Sequence, residues 1–165
     1  MKRFVYKKGK VLQVYCNGQY GYCYALDKDW FGPLFAIVKR VYPEPLLSAE
    51  LERLKEEEHG IAYLNTSGGC NGTGPRNSYT WTSVGTIEVG AYDRLVFYYG
   101  SENSIMTIQH PDGTEEYIHG PVDLEVFENE MHKKGYIHKV LWLPDAFVEL
   151  IFKDRPLRWS EHKRY

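Results

Sequence analysis

Two β-patterned runs stand close together near the N-terminus, Val11–Cys16 (VLQVYC) and Gln19–Leu26 (QYGYCYAL), with only Asn17-Gly18 between them. Asn-Gly between such runs is the strongest short hairpin signal, because a type I′ turn needs φ > 0 at both central residues. A two-residue loop also fixes the register. Val11 then faces Tyr24, Leu12 faces Cys23, Gln13 faces Tyr22, Val14 faces Gly21, Tyr15 faces Tyr20 and Cys16 faces Gln19. One face collects Leu12, Val14, Cys16, Gly21 and Cys23, small and apolar like a core. The other collects Val11, Gln13, Tyr15, Tyr20, Tyr22 and Tyr24, a strip of tyrosines. A third apolar run, Leu34–Tyr42, is expected to pair beside them.

Pro43 and Pro45 end that run, since proline cannot donate to a ladder. The spacing of Leu47, Leu51 and Leu54 predicts a short amphipathic helix within Leu46–Glu58, with Ser48 as N-cap. Ile61–Asn65 reads as a short strand, and the Gly-rich stretch Ser67–Asn77 as a loop. β character returns at Tyr79–Val89, Arg94–Tyr99 and Ser104–His110. Pro111-Asp112-Gly113 then makes a turn, because proline presets φ and glycine takes the left-handed position. Thr114–Gly120 is the returning arm, and Pro121–Gly135 a helix with Leu124, Phe127 and Met131 inward. Lys139–Phe152 reads as a strand followed by a helix that starts at Pro144 and Asp145 and buries Val148, Leu150 and Ile151. The whole predicts an α+β fold: a mostly antiparallel twisted sheet or partly open barrel with a few peripheral helices. At 165 residues, with no long linker, one domain spanning 1–165 is expected.

Charge changes this picture more than composition does. The formal net charge of −2 argues against nucleic acid as a partner, yet the distribution is uneven. Met1–Lys10 carries five Lys or Arg and no acid, whereas Ser101–Met131 carries eight Asp or Glu and no Lys or Arg. The three cysteines, Cys16, Cys23 and Cys70, form an odd set without a C-x-x-C pair, so a reducing, cytoplasmic setting is expected. The charged N-terminus lacks the apolar stretch of a signal peptide, and no apolar run approaches a membrane span.

The candidates for chemistry are thin. In the Gly-rich loop Gly74 is followed by Pro75-Arg76 rather than by Lys-Ser/Thr and a helix, which argues against a phosphate cradle. Cys70 needs a histidine beside it to become a nucleophile, and no motif supplies one. Cys16 and Cys23 sit diagonally, and His110 and His119 are on the order of 15 Å apart along their hairpin, so neither pair predicts a metal site. Glu115 and Glu116 alternate to opposite faces and make no acid/base pair. No catalytic residue, metal or cofactor is therefore expected. Two surfaces remain as partner-binding candidates. One is the tyrosine strip Tyr15, Tyr20 and Tyr22; the other is the acidic stretch Glu102–Glu130, with Asp112, Glu115, Glu116 and Asp123.

The segment Lys8-Gly9-Lys10-Val11-Leu12, leading into Asn17-Gly18-Gln19-Tyr20-Gly21-Tyr22, resembles the opening of the immunity protein 26 family. Members of that bacterial family are encoded beside polymorphic toxins. Lys10 stands where the family has Asp, and Cys23 where it has glycine. The resemblance implies a non-catalytic cytoplasmic inhibitor that binds one cognate toxin, and it supplies no catalytic residues. A nuclease toxin has a cationic cleft, which an acidic surface would suit. Two alternatives stand beside this expectation. One is a small cytoplasmic hydrolase-like enzyme using the Gly-rich loop at 67–77, with Cys70 or a histidine from elsewhere in the chain as the reactive group. The other is a β-barrel module binding nucleic acid through the basic N-terminal arm and stacked tyrosines.

Overall fold

Asn17 and Gly18 adopt φ of 50° and 81°, so both central residues of the first turn lie at positive φ as a type I′ loop requires. The turn joins β1 (Lys10–Cys16) to β2 (Gln19–Lys28) in antiparallel pairing, and all six predicted cross-strand pairs form. The structure is a computed structural model and describes residues 5–65, 72–73, 79–91 and 95–152. These residues divide into two compact units. One runs up to Ala91 and resumes at Leu141; the other comprises residues 95–140.

The first unit is built on a seven-stranded sheet in the order β11-β4-β3-β2-β1-β6-β5. Its further strands are β3 (Pro33–Val38), β4 (His59–Leu64), β5 (Gly72–Thr73), β6 (Tyr79–Thr86) and β11 (Leu141–Trp142). The third run is shorter than predicted: β3 ends at Val38, and Tyr42 returns alone to bridge Tyr20. β5 is a two-residue strand inside the stretch expected to be loop; Cys70 and the rest of that loop lie outside the described residues.

β3 and the middle of β2 are buried on both faces. That is why their hydropathy is continuous rather than alternating. Helix α2 (Pro144–Phe152) packs on β2 and β3, with Val148 and Ile151 buried and Leu150 half-buried. Ile151 sits over Gly21, where a Cβ would overlap its Cγ2. On the tyrosine face the cover is a 3₁₀ helix, Ser48–Lys55, not the α-helix predicted. Its Leu51 reaches Gly85, where a Cβ would stand 2.7 Å from Leu51 Cδ1. A 3₁₀ helix aligns residues three apart, so Leu51 and Leu54 both turn inward and Leu47 falls off that line. Leu47 is 71% exposed, and Ser48 is not the N-cap. Instead the Glu50 carboxylate accepts from the Leu47 N–H at 2.8 Å.

The second unit has a four-stranded sheet, β10-β7-β8-β9, and helix α1 (Leu124–Lys133). Its strands are β7 (Phe97–Gly100), β8 (Ile105–Gln109), β9 (Glu115–His119) and β10 (Ile137–His138). The turn between β8 and β9 has Gly113 at φ 88°, the predicted left-handed position. Tyr98, Met106, Ile108, Phe127 and Met131 form the core between sheet and helix, and Leu124 packs against it. The fold is thus α+β with mostly antiparallel sheets. Among the described residues neither sheet closes into a barrel. Among the described residues only β10 with β7 and β11 with β4 pair in parallel.

Two stability changes are expected. Gly18 has open space around it, so Gly18→Val acts through φ alone and should cost roughly 1–3 kcal/mol in denaturant unfolding. An unchanged midpoint would contradict the positive-φ turn. Gly21→Ala should cost a similar amount, roughly 1–3 kcal/mol, by overpacking against Ile151. Combined with Ile151→Ala, the loss should be less than additive; simple additivity would mean that the two positions do not touch.

Candidate partner-binding face

In the second unit, alternation sends Tyr98, Met106, Ile108 and Ile118 toward α1, and Phe97, Tyr99, Thr107, Gln109, Glu115 and Tyr117 to the opposite face. That second face is aromatic and charged. Tyr99 and Tyr117 each donate a hydroxyl hydrogen bond to Glu115, at 2.6 Å to Oε1 and 2.6 Å to Oε2 respectively. The two bonds hold the Glu115 carboxyl below its ordinary pKa, the Tyr117 bond contributing most. Its own bond to Glu115 pushes the Tyr99 hydroxyl up to about 12. Lys139 donates to Gln109 Oε1 at 2.9 Å, with its Nζ 5.6 Å and 5.8 Å from the Phe97 and Tyr99 ring centres. Tyr117 remains 59% exposed.

The hairpin tip adds two more carboxylates. Asp112 Oδ1 accepts from the Thr114 hydroxyl at 2.7 Å and from the Thr114 N–H at 2.9 Å, which lowers its pKa and fastens the turn. Glu116 Oε1 contacts His110 Nε2. His110, Pro111, Asp112, Thr114, Glu115 and Glu116 line a shallow depression of about 380 Å³. Three predicted residues, Asp112, Glu115 and Glu116, are therefore brought together, each fixed by a named partner.

Others are not. Asp123 accepts from the Val126 N–H at 3.0 Å and caps α1, so its carboxylate is committed to the helix N-terminus. Glu128, inside the stretch read as an acidic surface, is fully buried. In the first unit Tyr15 is 42% exposed and Tyr20 half-buried, with ring centres 5.0 Å apart. Tyr22 is fully buried, which removes it as a contact residue. Its hydroxyl donates to Gln13 Oε1 at 2.9 Å and accepts from the Leu46 N–H at 2.7 Å, so the segment after Tyr42 covers it. Cys16 is half-buried and Cys23 buried. Among the described residues no three His, Cys, Asp or Glu side chains are grouped to hold a metal ion.

Sequence reasoning missed a buried polar cluster beneath α1. His132 Nε2 lies 3.1 Å from the Tyr98 hydroxyl, His138 stacks on the Tyr98 ring at 4.6 Å, and Glu128 Oε1 is 3.6 Å from His138 Nδ1. The signal was present: Glu128 and His132 are four apart in a predicted helix, on the side shared with Leu124 and Met131. The chain matches no family model, no curated protein and no solved structure. Among the described residues no helix is long and apolar enough to cross a membrane.

Burial, with the nearby His132, lowers the His138 pKa from 6.5 to about 4. The folded state therefore binds fewer protons than the unfolded chain between those values. His138 is compatible with full stability above pH 6.5, and stability falls as pH drops from 6.5 toward 4, by up to about 3 kcal/mol. His138→Phe, which keeps the stacked ring, should flatten that part of the stability–pH curve. A curve of unchanged slope would remove His138 as its source.

Proposed function

We propose that the chain is a non-catalytic immunity protein that binds and neutralises a cognate bacterial toxin in the cytoplasm of the producing cell. Two things support the reading. The opening hairpin carries the residues that resemble the immunity protein 26 family, and the β8–β9 hairpin carries fixed carboxylates beside an exposed tyrosine. The second observation carries the argument. An interface anchor works best when it is rigid before contact, because little side-chain freedom is then lost on binding. Glu115 is held by two phenol hydroxyls and Asp112 by its own turn. Tyrosine is among the residues that dominate binding hot spots. A toxin that acts on nucleic acid holds phosphates in a cationic cleft, and such a cleft would meet this surface with complementary charge.

The test begins with the toxin-like protein encoded beside this chain, if the gene neighbourhood supplies one. Co-expression should rescue growth, and the purified pair should associate faster at low salt than at high salt. Asp112→Lys with Glu116→Lys should slow association at least about tenfold at low salt. The defect should shrink at 1 M salt, where the Debye length is ~3 Å. Circular dichroism first confirms that the double variant is folded. An unchanged association rate would take the hairpin out of the interface and leave Tyr15 and Tyr20 as the next surface to vary.

A further inference from the structure

We propose that β9 is a self-pairing edge, and that two copies of this chain join their β9 strands antiparallel about a two-fold axis at Tyr117. The inference goes beyond the immunity reading and does not depend on it.

Among the described residues β9 ends the four-stranded sheet, pairing with β8 on one side only. The direction of its backbone groups follows from two bonds in the same ladder. His110 N–H donates to Thr114 O at 2.9 Å, and Gly120 N–H donates to Ser104 O at 2.6 Å. Opposed residues in an antiparallel ladder alternate between exchanging both bonds and exchanging none. With Met106 opposite Ile118 and Ile108 opposite Glu116, those pairs are the bonded ones. The N–H and C=O groups of Glu115, Tyr117 and His119 therefore point away from β8, along the open edge.

Exposed edges are usually blunted by lysine, proline or a bulge. β9 has none of these: its sequence is EEYIH and its register with β8 is unshifted. Its charges instead select among registers. Centring the pairing on Glu115 would set carboxylate against carboxylate, and centring it on Glu116 would set Glu115 against Tyr117. Centring it on Tyr117 sets Glu115 opposite His119 of the other copy at both ends and stacks Tyr117 against its twin. A carboxylate facing an imidazole N–H can accept a hydrogen bond across the strands, and aromatic pairs are stabilising, whereas like charges directly opposed are not. The same register uses every outward backbone group of the three residues, because both strands present Glu115, Tyr117 and His119. Tyr117 and His119 are exposed, and no other described strand pairs along this edge. A two-fold contact of this kind closes after two copies and joins the two four-stranded sheets into one of eight.

Sedimentation equilibrium of the full chain tests this. The expected result is a concentration-dependent mass rising from 19.3 kDa to about twice that value. Tyr117→Pro removes an N–H that faces the edge rather than β8, so the hairpin is kept while the dimer should weaken about tenfold or more. His119→Glu places like charges at both ends and should weaken the dimer about fivefold, and adding Glu115→Lys should restore it to within about twofold. If Tyr117→Pro fails to fold, the charge-swap pair decides. Tyr117→Cys gives a direct reading of the axis. Bonded antiparallel residues have Cα atoms about 5.5 Å apart, within disulfide range, so peptide mapping after mild oxidation should find a 117–117 link. A chain that stays monomeric at every concentration assigns the edge to some other protein and overturns the proposal. So does a dimer that these variants leave intact.

Discussion

A turn of two residues, both held at positive φ, leaves β1 and β2 a single register, and the layers of the first unit follow from it. Side chains alternate with a period of two, so slipping the pairing by one residue would exchange the two faces. In the observed register Gly21 lies beneath Ile151 on one face, while Gly85, opposite Val11, lies beneath Leu51 on the other. Each glycine is the absence of a side chain at the point where a covering residue must approach closely. Shifted by one, β2 would no longer set Gly21 beneath Ile151, and the Tyr22 hydroxyl would lose Gln13 and Leu46. The turn therefore specifies a packing arrangement as well as a hairpin.

Why some of this was legible and some was not has a physical explanation. The Asn17-Gly18 turn, its register and the Gly113 turn are local: a few φ angles decide them, and the residues concerned announce those angles. The 3₁₀ helix was not local in that sense. Leu47, Leu51 and Leu54 fit an α-helical face, but of the three Leu51 and Leu54 are buried, and the tighter winding aligns those two. The tyrosine strip could be placed on one face, but whether a face is covered depends on segments far along the chain. Tyr22 is sealed by Leu46, twenty-four residues away, while Tyr15 at the strand end stays half open. Nothing in the hydropathy pattern marks Ala91 and Leu141 as the points where one compact unit gives way to the other.

The acidic stretch shows how little a count of charges says about a surface. Eight carboxylates fall between Ser101 and Met131, and geometry gives them different tasks. Asp123 is spent on the exposed N–H groups at the start of α1. Glu128 is taken into the interior beside two histidines and a tyrosine, where a polar group persists only with partners. Asp112 and Glu115 stay at the surface but are immobilised. The first two were readable in principle, one from its place before a helix and the other from its place on the helix's inner side.

Immobilisation is what makes the β8–β9 hairpin more than a solvated acidic loop. A free surface carboxylate gains little from an ion pair, because holding two long side chains in one geometry offsets the attraction. The phenols of Tyr99 and Tyr117 hold Glu115 before any partner arrives, so that ordering is already part of folding. An ionised carboxylate has about four acceptor positions, and the two phenols take two of them. Gln109 Nε2 also reaches Oε1 at 3.5 Å, and the exposed Tyr117 ring stands beside the half-buried carboxylate. Among the described residues β9 pairs with β8 alone, and the hydrogen bonds to Glu115 order the face of that edge strand.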